Sequence, residues 1–175
     1  MKKQLLVLLL ATFTMVVACK KDNNGTHQVT VRLTDNPFNA EEVNVDIHSV
    51  QLKYNDDNNN GTNDDEGWVT INTNDSIYNL LNLQNDVNVV LAQGPYNYDH
   101  LKEIRLILGT NNSIKIGGSV FPLTVPSGSS SGLKIKVDRD LHEGDNDFLI
   151  DFDAALSIHE TGNGQYMLRP VIRLK

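Results

Sequence analysis

Apolar and polar side chains alternate along much of the chain. The alternation is clearest through Val29–Leu33 and again through Val43–Ile47. Successive side chains of a β-strand point to opposite faces, so a period of two predicts strands with one face in a core and the other toward solvent. The body of the chain is therefore predicted to consist of strands.

The alternation changes phase once, near His48 and Ser49. Apolar residues occupy every second position up to Ile47, and they resume at Val50 and Leu52, one residue out of step. A strand that keeps one face in a core can absorb such a shift only by accommodating an extra residue. The sequence therefore predicts a β-bulge near His48 and Ser49.

Further apolar runs, separated by clusters of Gly, Asn, Asp and Pro, predict additional strands. These runs are Trp68–Ile71, Ile104–Leu108, Ile114–Ile116, Val120–Val125, Leu133–Val137, Phe148–Phe152 and Leu168–Leu174. Helical structure is expected at most in Asn79–Ala92 and as a single turn in Ala154–His159. With about nine or ten short strands and one or two short helical turns, the predicted fold is all-β. Its expected form is an antiparallel β-sandwich or a partly open barrel.

The N-terminus has the pattern of a lipoprotein signal peptide. Lys2 and Lys3 precede an apolar stretch, Leu5–Val17, which is too short to span a membrane. It ends in Val16-Val17-Ala18-Cys19, which resembles the lipobox that is cut before a lipidated cysteine. We therefore predict a signal peptide at residues 1–18, lipidation at Cys19 and a flexible tether at residues 19–27. A single β-sandwich domain is predicted at residues 28–175.

The predicted anchor also sets the location and the charge of the protein. Lys20 follows the cysteine, which resembles an outer-membrane sorting signal, so we expect attachment to the outer membrane, facing either the periplasm or the cell surface. Cleavage would remove Lys2 and Lys3 and no acidic residue, leaving 13 basic against 22 acidic side chains and a formal charge of −9. A chain of this charge is repelled by phosphate backbones, so nucleic acid is not expected as a partner.

Four short sequence motifs support a family resemblance. In order along the chain they are Leu33–Pro37, Gly132–Ile135, Asp151–Ala154 and Leu168–Arg173. They resemble an uncharacterised family of bacterial lipoprotein domains known only as domain of unknown function 4382, over roughly residues 29–173. The resemblance implies an all-β, envelope-anchored module, and it implies no catalytic residues.

A polar segment between two predicted strands, Asn55–Gly67, is the candidate for metal binding. Its oxygen-bearing residues at alternate positions are Asp56, Asn58, Asn60, Thr62 and Asp64, followed by Glu66. Calcium prefers such oxygen ligands, and the start of the segment matches the D-x-[DN]-x-[DN]-G template. The flanking strands exclude an EF-hand. The segment is interpreted either as a stand-alone Ca²⁺ loop or as a solvated hairpin tip, which has the same composition.

Two aspartates on one predicted strand are the candidates for catalysis. Asp151 and Asp153 flank Phe152, so both should project from the same face. Two neighbouring carboxylates could hold a metal or act as an acid and a base. The alternative is a solvated strand face with cationic partners on neighbouring strands, and the candidate partners are Lys134, Lys136, Arg169 and Arg173.

Taken together, these patterns predict a non-catalytic outer-membrane or cell-surface lipoprotein that acts as a binding or scaffolding module, with a glycan or a protein as its partner. One alternative is a small secreted hydrolase or carbohydrate-active enzyme that uses Asp151 and Asp153. The other is a glycan-binding accessory lipoprotein with exposed aromatics around Trp68. In addition, Asp75-Ser76-Ile77 resembles a bacterial O-glycosylation acceptor, which makes Ser76 a candidate modification site.

Overall fold

The structure is a computed structural model that describes residues 26–36, 38–54, 66–126 and 131–175. These ranges contain thirteen strands and two short helical turns, which confirms the all-β class with more strands than the nine or ten expected. The strands are β1 (His27–Asp35), β2 (Glu42–Tyr54), β3 (Trp68–Thr70), β4 (Ser76–Asn79), β5 (Val89–Tyr96), β6 (His100–Leu108), β7 (Ser113–Ile116), β8 (Ser119–Thr124), β9 (Leu133–Asp140), β10 (Asp145–Phe152), β11 (Ile158–Gly162), β12 (Gln165–Leu168) and β13 (Ile172–Leu174). A 3₁₀ turn spans Leu80–Leu83, and α1 spans Ala154–Ser157.

The strands form two sheets. The smaller has the order β13-β10-β1-β5, and the larger has the path β11-β12-β8-β7-β2-β6-β9, with β3 and β4 also paired to β2. Most pairs are antiparallel, but β1 pairs with β10 and β12 with β8 in parallel, so both sheets are mixed. Neither sheet closes into a barrel within the described ranges.

One apolar core joins the two sheets. Val31 of the smaller sheet and Ile47 of the larger sheet are both fully buried, and both belong to the same cluster of packed side chains. Seven of the nine residues of β1 are buried, and the strand lies between β10 and β5 in its own sheet. The sandwich form follows from this shared core.

The bulge predicted in β2 is confirmed. Ile47 lies opposite Leu108 and Ser49 lies opposite Ile107, so His48 is the extra residue. The core face continues from Ile47 to Val50 across the interruption. The bulge therefore keeps the apolar side chains buried, as the phase change in the sequence requires.

The strand predicted over Leu168–Leu174 is wrong, because the segment divides between the two sheets. Strand β12 ends at Leu168 in the larger sheet, and β13 begins at Ile172 in the smaller one. Pro170 between them has no N–H to donate to a strand partner. The crossing is held by Ser157, whose carbonyl oxygen accepts from the Arg169 N–H (2.8 Å) and whose Oγ accepts from the Val171 N–H (2.8 Å).

The two helical expectations have different outcomes. In Asn79–Ala92 only Leu80–Leu83 is helical, as a 3₁₀ turn, and the segment then enters β5. The turn expected in Ala154–His159 is confirmed as α1, where Asp153 Oδ1 accepts from the Leu156 N–H (3.0 Å) as an N-cap. None of the helical segments in the described ranges has the length and apolarity needed to cross a membrane.

Candidate functional site

Trp68 lies on the outer face of the larger sheet, among cations contributed by neighbouring strands. In the register of the sheet, Trp68 of β3 is opposite Lys53 of β2, and Arg105 of β6 is opposite Lys134 of β9. These side chains point away from the core, because the alternating positions Leu52, Ile104 and Ile135 point into it. We call Lys53, Trp68, Arg105 and Lys134 the cation–tryptophan face.

All three cations of this face lie near the Trp68 ring. The distances to the ring centroid are 4.2 Å from Arg105 Cζ, 5.2 Å from Lys53 Nζ and 6.0 Å from Lys134 Nζ. Cations within about 6 Å of an indole face are attracted by its negative electrostatic potential. The arrangement places cations from three strands around one aromatic ring.

Arg105 is the fixed member of this face. Its Nε donates to Gln51 Oε1 (2.7 Å), and Nη1 donates to the Ser131 carbonyl oxygen (3.4 Å). Gly132 adopts a left-handed φ of +81°, and a Cβ there would lie 2.7 Å from Arg105 Cγ, so only glycine fits beside the arginine. Arg105 is only 7% exposed, and these contacts hold its guanidinium in place against the Trp68 ring. Lys53 and Lys134 are half-buried.

Three tyrosines, Tyr54, Tyr96 and Tyr98, pack on one another. Tyr54 and Tyr98 stack with ring centroids 4.0 Å apart and planes 3° apart. Tyr96 lies tilted against Tyr98 at 5.3 Å and is 1% exposed. Burial raises the pKa of the Tyr96 hydroxyl, which fits its position in the core. Tyr96 is therefore too buried to contribute to a binding surface.

The carboxylates of Asp151, in β10, and of Asp153, which follows β10 as the N-cap of α1, meet at Asn36, but they do not form a solvated face. They are 0% and 8% exposed, respectively. Asn36 Nδ2 donates to both carboxylates, at 3.2 Å and 3.1 Å. Of the four cations considered as partners, Arg173 is the one bound: its Nη2 and Nε donate to Asp151 Oδ2 at 2.6 Å and 2.8 Å. The remaining Asp153 carboxylate oxygen caps α1.

A third aspartate, Asp35, joins this buried group from β1. Its Oδ1 accepts from the Ala154 N–H (3.0 Å), and it is 2% exposed. Two buried oxygens of the group, Asp35 Oδ2 and Asp151 Oδ1, have no hydrogen-bond partner among the described residues. Burial raises the pKa of Asp35 to about 6, against a smaller lowering by the Ala154 N–H, and the Asp151 charge raises it further.

Several of the predicted site residues lie outside the described residues. They are the lipidation site Cys19 and five members of the proposed calcium loop, Asp56, Asn58, Asn60, Thr62 and Asp64. Glu66 is described and is exposed in the turn before β3. Ser76, the candidate glycosylation site, is exposed at the start of β4. The calcium, lipidation and glycosylation hypotheses stay predictions.

Sequence reasoning missed a cluster at the β2 bulge. The five histidines have no metal-ligand spacing along the sequence, yet His48 lies beside Asp46 and Asp75. Asp46 and His48 are two residues apart on one strand, which is a signal of a shared face. Asp75 lies 27 positions further along, and only the pairing of β4 with β2 brings it there.

The chain was compared with known proteins. The family model described as Domain of unknown function (DUF4382) matches residues 26–170. No curated protein and no solved structure matches the chain. The match agrees with the resemblance indicated by the four sequence motifs, and it covers almost all of the described strands.

Proposed function

Since the chain belongs to the DUF4382 family, whose description assigns no activity, we propose a function from the geometry: a lipid-anchored outer-membrane module that binds ligands and does not catalyse a reaction. The observation that carries this proposal is the cation–tryptophan face, with three cations within 6.0 Å of one indole ring. A flat sheet face of this kind suits a ligand that lies across several strands. The ligand class that we propose is an acidic polysaccharide.

The chemistry of the face supports this class of ligand. Sugar rings present apolar C–H groups that pack on an aromatic ring, and carboxylate or sulfate groups on the same sugars would meet the lysines flanking Trp68. A long phosphate backbone has a much higher charge density and would be repelled by the net negative chain. An acidic sugar of lower charge density would meet the lysines locally and be repelled less by the chain as a whole.

The burial of the aspartates favours binding over the hydrolase alternative. A catalytic acid or base must reach the proton that it transfers, within hydrogen-bond distance of the substrate. Asp151 is fully buried and bound to Arg173, and Asp153 caps α1. These contacts account for both carboxylates as parts of the fold.

The anchor is tested by the variant Cys19→Ser. We expect the wild type to fractionate with detergent-soluble membranes and the serine variant to be soluble or unprocessed, because stable attachment needs the acyl groups on the cysteine. Membrane fractionation followed by immunoblotting measures this. A serine variant that remained quantitatively in the membrane fraction would place the anchor elsewhere in the protein.

The binding face is tested by affinity electrophoresis in gels that contain polygalacturonate or neutral dextran. We expect polygalacturonate, but not dextran, to retard the protein, and Trp68→Ala to weaken that retardation about tenfold, because it removes the aromatic surface and its cation–π contacts. Added salt should weaken the interaction, since the lysine contacts are screened.

A matched control is Lys115→Ala. Lys115→Ala removes one positive charge, which Trp68→Ala does not, and Lys115 lies away from the cation–tryptophan face on β7, where it pairs with Glu41 and Glu42 at 3.5 Å each. This variant should bind like the wild type. Equal weakening by Lys115→Ala and Trp68→Ala would indicate unspecific charge attraction, and equal retardation by dextran would overturn the acidic class of ligand.

A further inference from the structure

Three side chains with metal-binding atoms converge at the bulge of β2. They are Asp46, His48 and Asp75, and one ligand atom from each lies within 4.8 Å of the other two. His48 Nδ1 is 3.1 Å from Asp75 Oδ1, and His48 Nε2 is 3.8 Å from Asp46 Oδ2. Across the part of the chain that the structure describes, no other group of three His, Cys, Asp or Glu side chains gathers this closely.

The backbone places these groups together through the bulge. Asp46 and His48 project from the side of β2 opposite to the fully buried Ile47, where the Asp46 side chain is covered and that of His48 is exposed. His48 is the extra residue of the bulge, and bulges redirect a side chain relative to a regular strand. Asp75 directly precedes β4, whose first residue, Ser76, lies opposite Ile47. Two segments far apart in sequence thus supply the three groups.

Asp46 is held in place by hydrogen bonds to the segment between β6 and β7. Its side chain is only 4% exposed, and its Oδ2 accepts from both the backbone N–H and the side-chain Nδ2 of Asn111, each at 3.0 Å. Asn112 fixes the backbone as well, because its Oδ1 accepts from the Asp46 N–H (2.9 Å). Carboxylates that ligate metals are commonly oriented by hydrogen bonds of this kind.

Gly109 keeps the space next to these ligands open. A Cβ at this position would lie 2.1 Å from Asp46 Oδ2 and 2.3 Å from His48 Nε2, closer than atoms can approach. The Gly109 N–H donates to the Asp46 carbonyl oxygen (2.9 Å), so the glycine cannot move away without losing that bond. Any larger residue would fill the gap between the carboxylate and the imidazole.

We propose that Asp46, His48 and Asp75 bind a divalent transition-metal ion, for which zinc is the best fit. Calcium and magnesium favour sites made only of oxygen, whereas an imidazole nitrogen with two carboxylates suits zinc. A zinc ion binds only one of the two His48 ring nitrogens, and at bond lengths of about 2.0–2.2 Å its tetrahedral ligands lie about 3.3 Å apart. The ligand atoms of the three side chains lie within 4.8 Å of one another, so they need to close by at most about 1.5 Å, which the exposed His48 and Asp75 side chains can do by rotation. Water would complete the tetrahedron, since His48 and Asp75 are exposed.

The proposal is tested by isothermal titration of ZnCl₂ into tag-free, EDTA-treated protein in 0.15 M NaCl, with CaCl₂ as the comparison. We expect one zinc ion per chain at this site and a rise in melting temperature with zinc that His48→Ala lacks. A calcium response that is the same in wild type and His48→Ala would come from elsewhere in the chain. His48→Ala and Asp75→Asn should each weaken zinc binding at least tenfold. Both replaced side chains are exposed, and melting curves in EDTA establish that the variants fold.

His100→Ala is the matched control. His100 also has two aspartates as neighbours, with Nδ1 2.7 Å from Asp140 and Nε2 3.2 Å from Asp138. Unlike the group at the β2 bulge, these three side chains do not bring one ligand atom each within 4.8 Å of one another. This variant should keep the zinc site. Absence of zinc binding by the wild type would overturn the proposal. So would zinc binding that survives His48→Ala, or that is lost equally in His100→Ala.

Discussion

Replacing Phe152 by alanine should lower the free energy of unfolding by about 3–5 kcal/mol. Phe152 is fully buried in the apolar core, between its strand partners Asp35 on β1 and Ile172 on β13. Removing the ring gives up its transfer free energy and leaves a cavity that the two flanking strands cannot close without breaking their register. Urea unfolding monitored by circular dichroism measures the change as a shift in midpoint.

The matched surface substitution is Lys136→Ala on β9. Its side chain is 75% exposed and forms an ion pair with Asp138 (3.3 Å). An exposed pair of this kind contributes little, so the loss should stay below about 0.5 kcal/mol. If the two variants shifted the urea midpoint equally, the assignment of core and surface faces to β10 and β9 would be wrong.

The sequence predicts local features well where a side-chain period is visible. The phase change at His48 predicted the bulge, because alternation makes any extra residue visible on a strand with a buried face. The turn α1 was likewise predicted, and Asp153 caps it. By contrast, β5 begins inside a segment whose apolar spacing fits neither a helix nor a strand, so its pairing with β1 decides its conformation.

Features that depend on which strands become neighbours were less predictable. Nothing local indicates that β1 and β10 run parallel or that Pro170 marks a crossing between sheets. The same limit applies to the sites. Trp68 was identified as a candidate, but the cations around it come from three other strands, β2, β6 and β9.

The buried aspartates show how burial changes an interpretation. The alternation through Asp151, Phe152 and Asp153 indicated one core face and one solvated face, yet all three are buried. The Asp151 carboxylate accepts from Asn36 and is paired with Arg173, one of the partners considered, which balances its charge. A strand that is covered on both faces has no solvated side, and the period of two cannot reveal this.

Stability should also depend on pH through the third buried carboxyl, Asp35. Burial raises its pKa to about 6 from an ordinary value of 3.8, so the folded protein binds a proton more tightly than the unfolded chain. Stability should therefore rise as the pH falls through about 6 and reach its full gain below 3.8. The full effect is about 3 kcal/mol, of which about 1.4 kcal/mol should appear between pH 8 and pH 5.

Asp35→Asn isolates this contribution. Asparagine keeps an oxygen that can accept from the Ala154 N–H but cannot ionise, so the stability difference between wild type and variant should change by about 1.4 kcal/mol between pH 8 and pH 5. The comparison with the variant matters because neighbouring aspartates also raise the pKa values of His27, His48 and His100. The stability that these histidines contribute is likewise lost as the pH rises. Asp145→Asn, an exposed position on β10, should keep the wild-type pH dependence. Urea unfolding at several pH values measures all three proteins, and a parallel pH dependence in wild type and Asp35→Asn would mean that Asp35 is ionised in the folded protein at no free-energy cost.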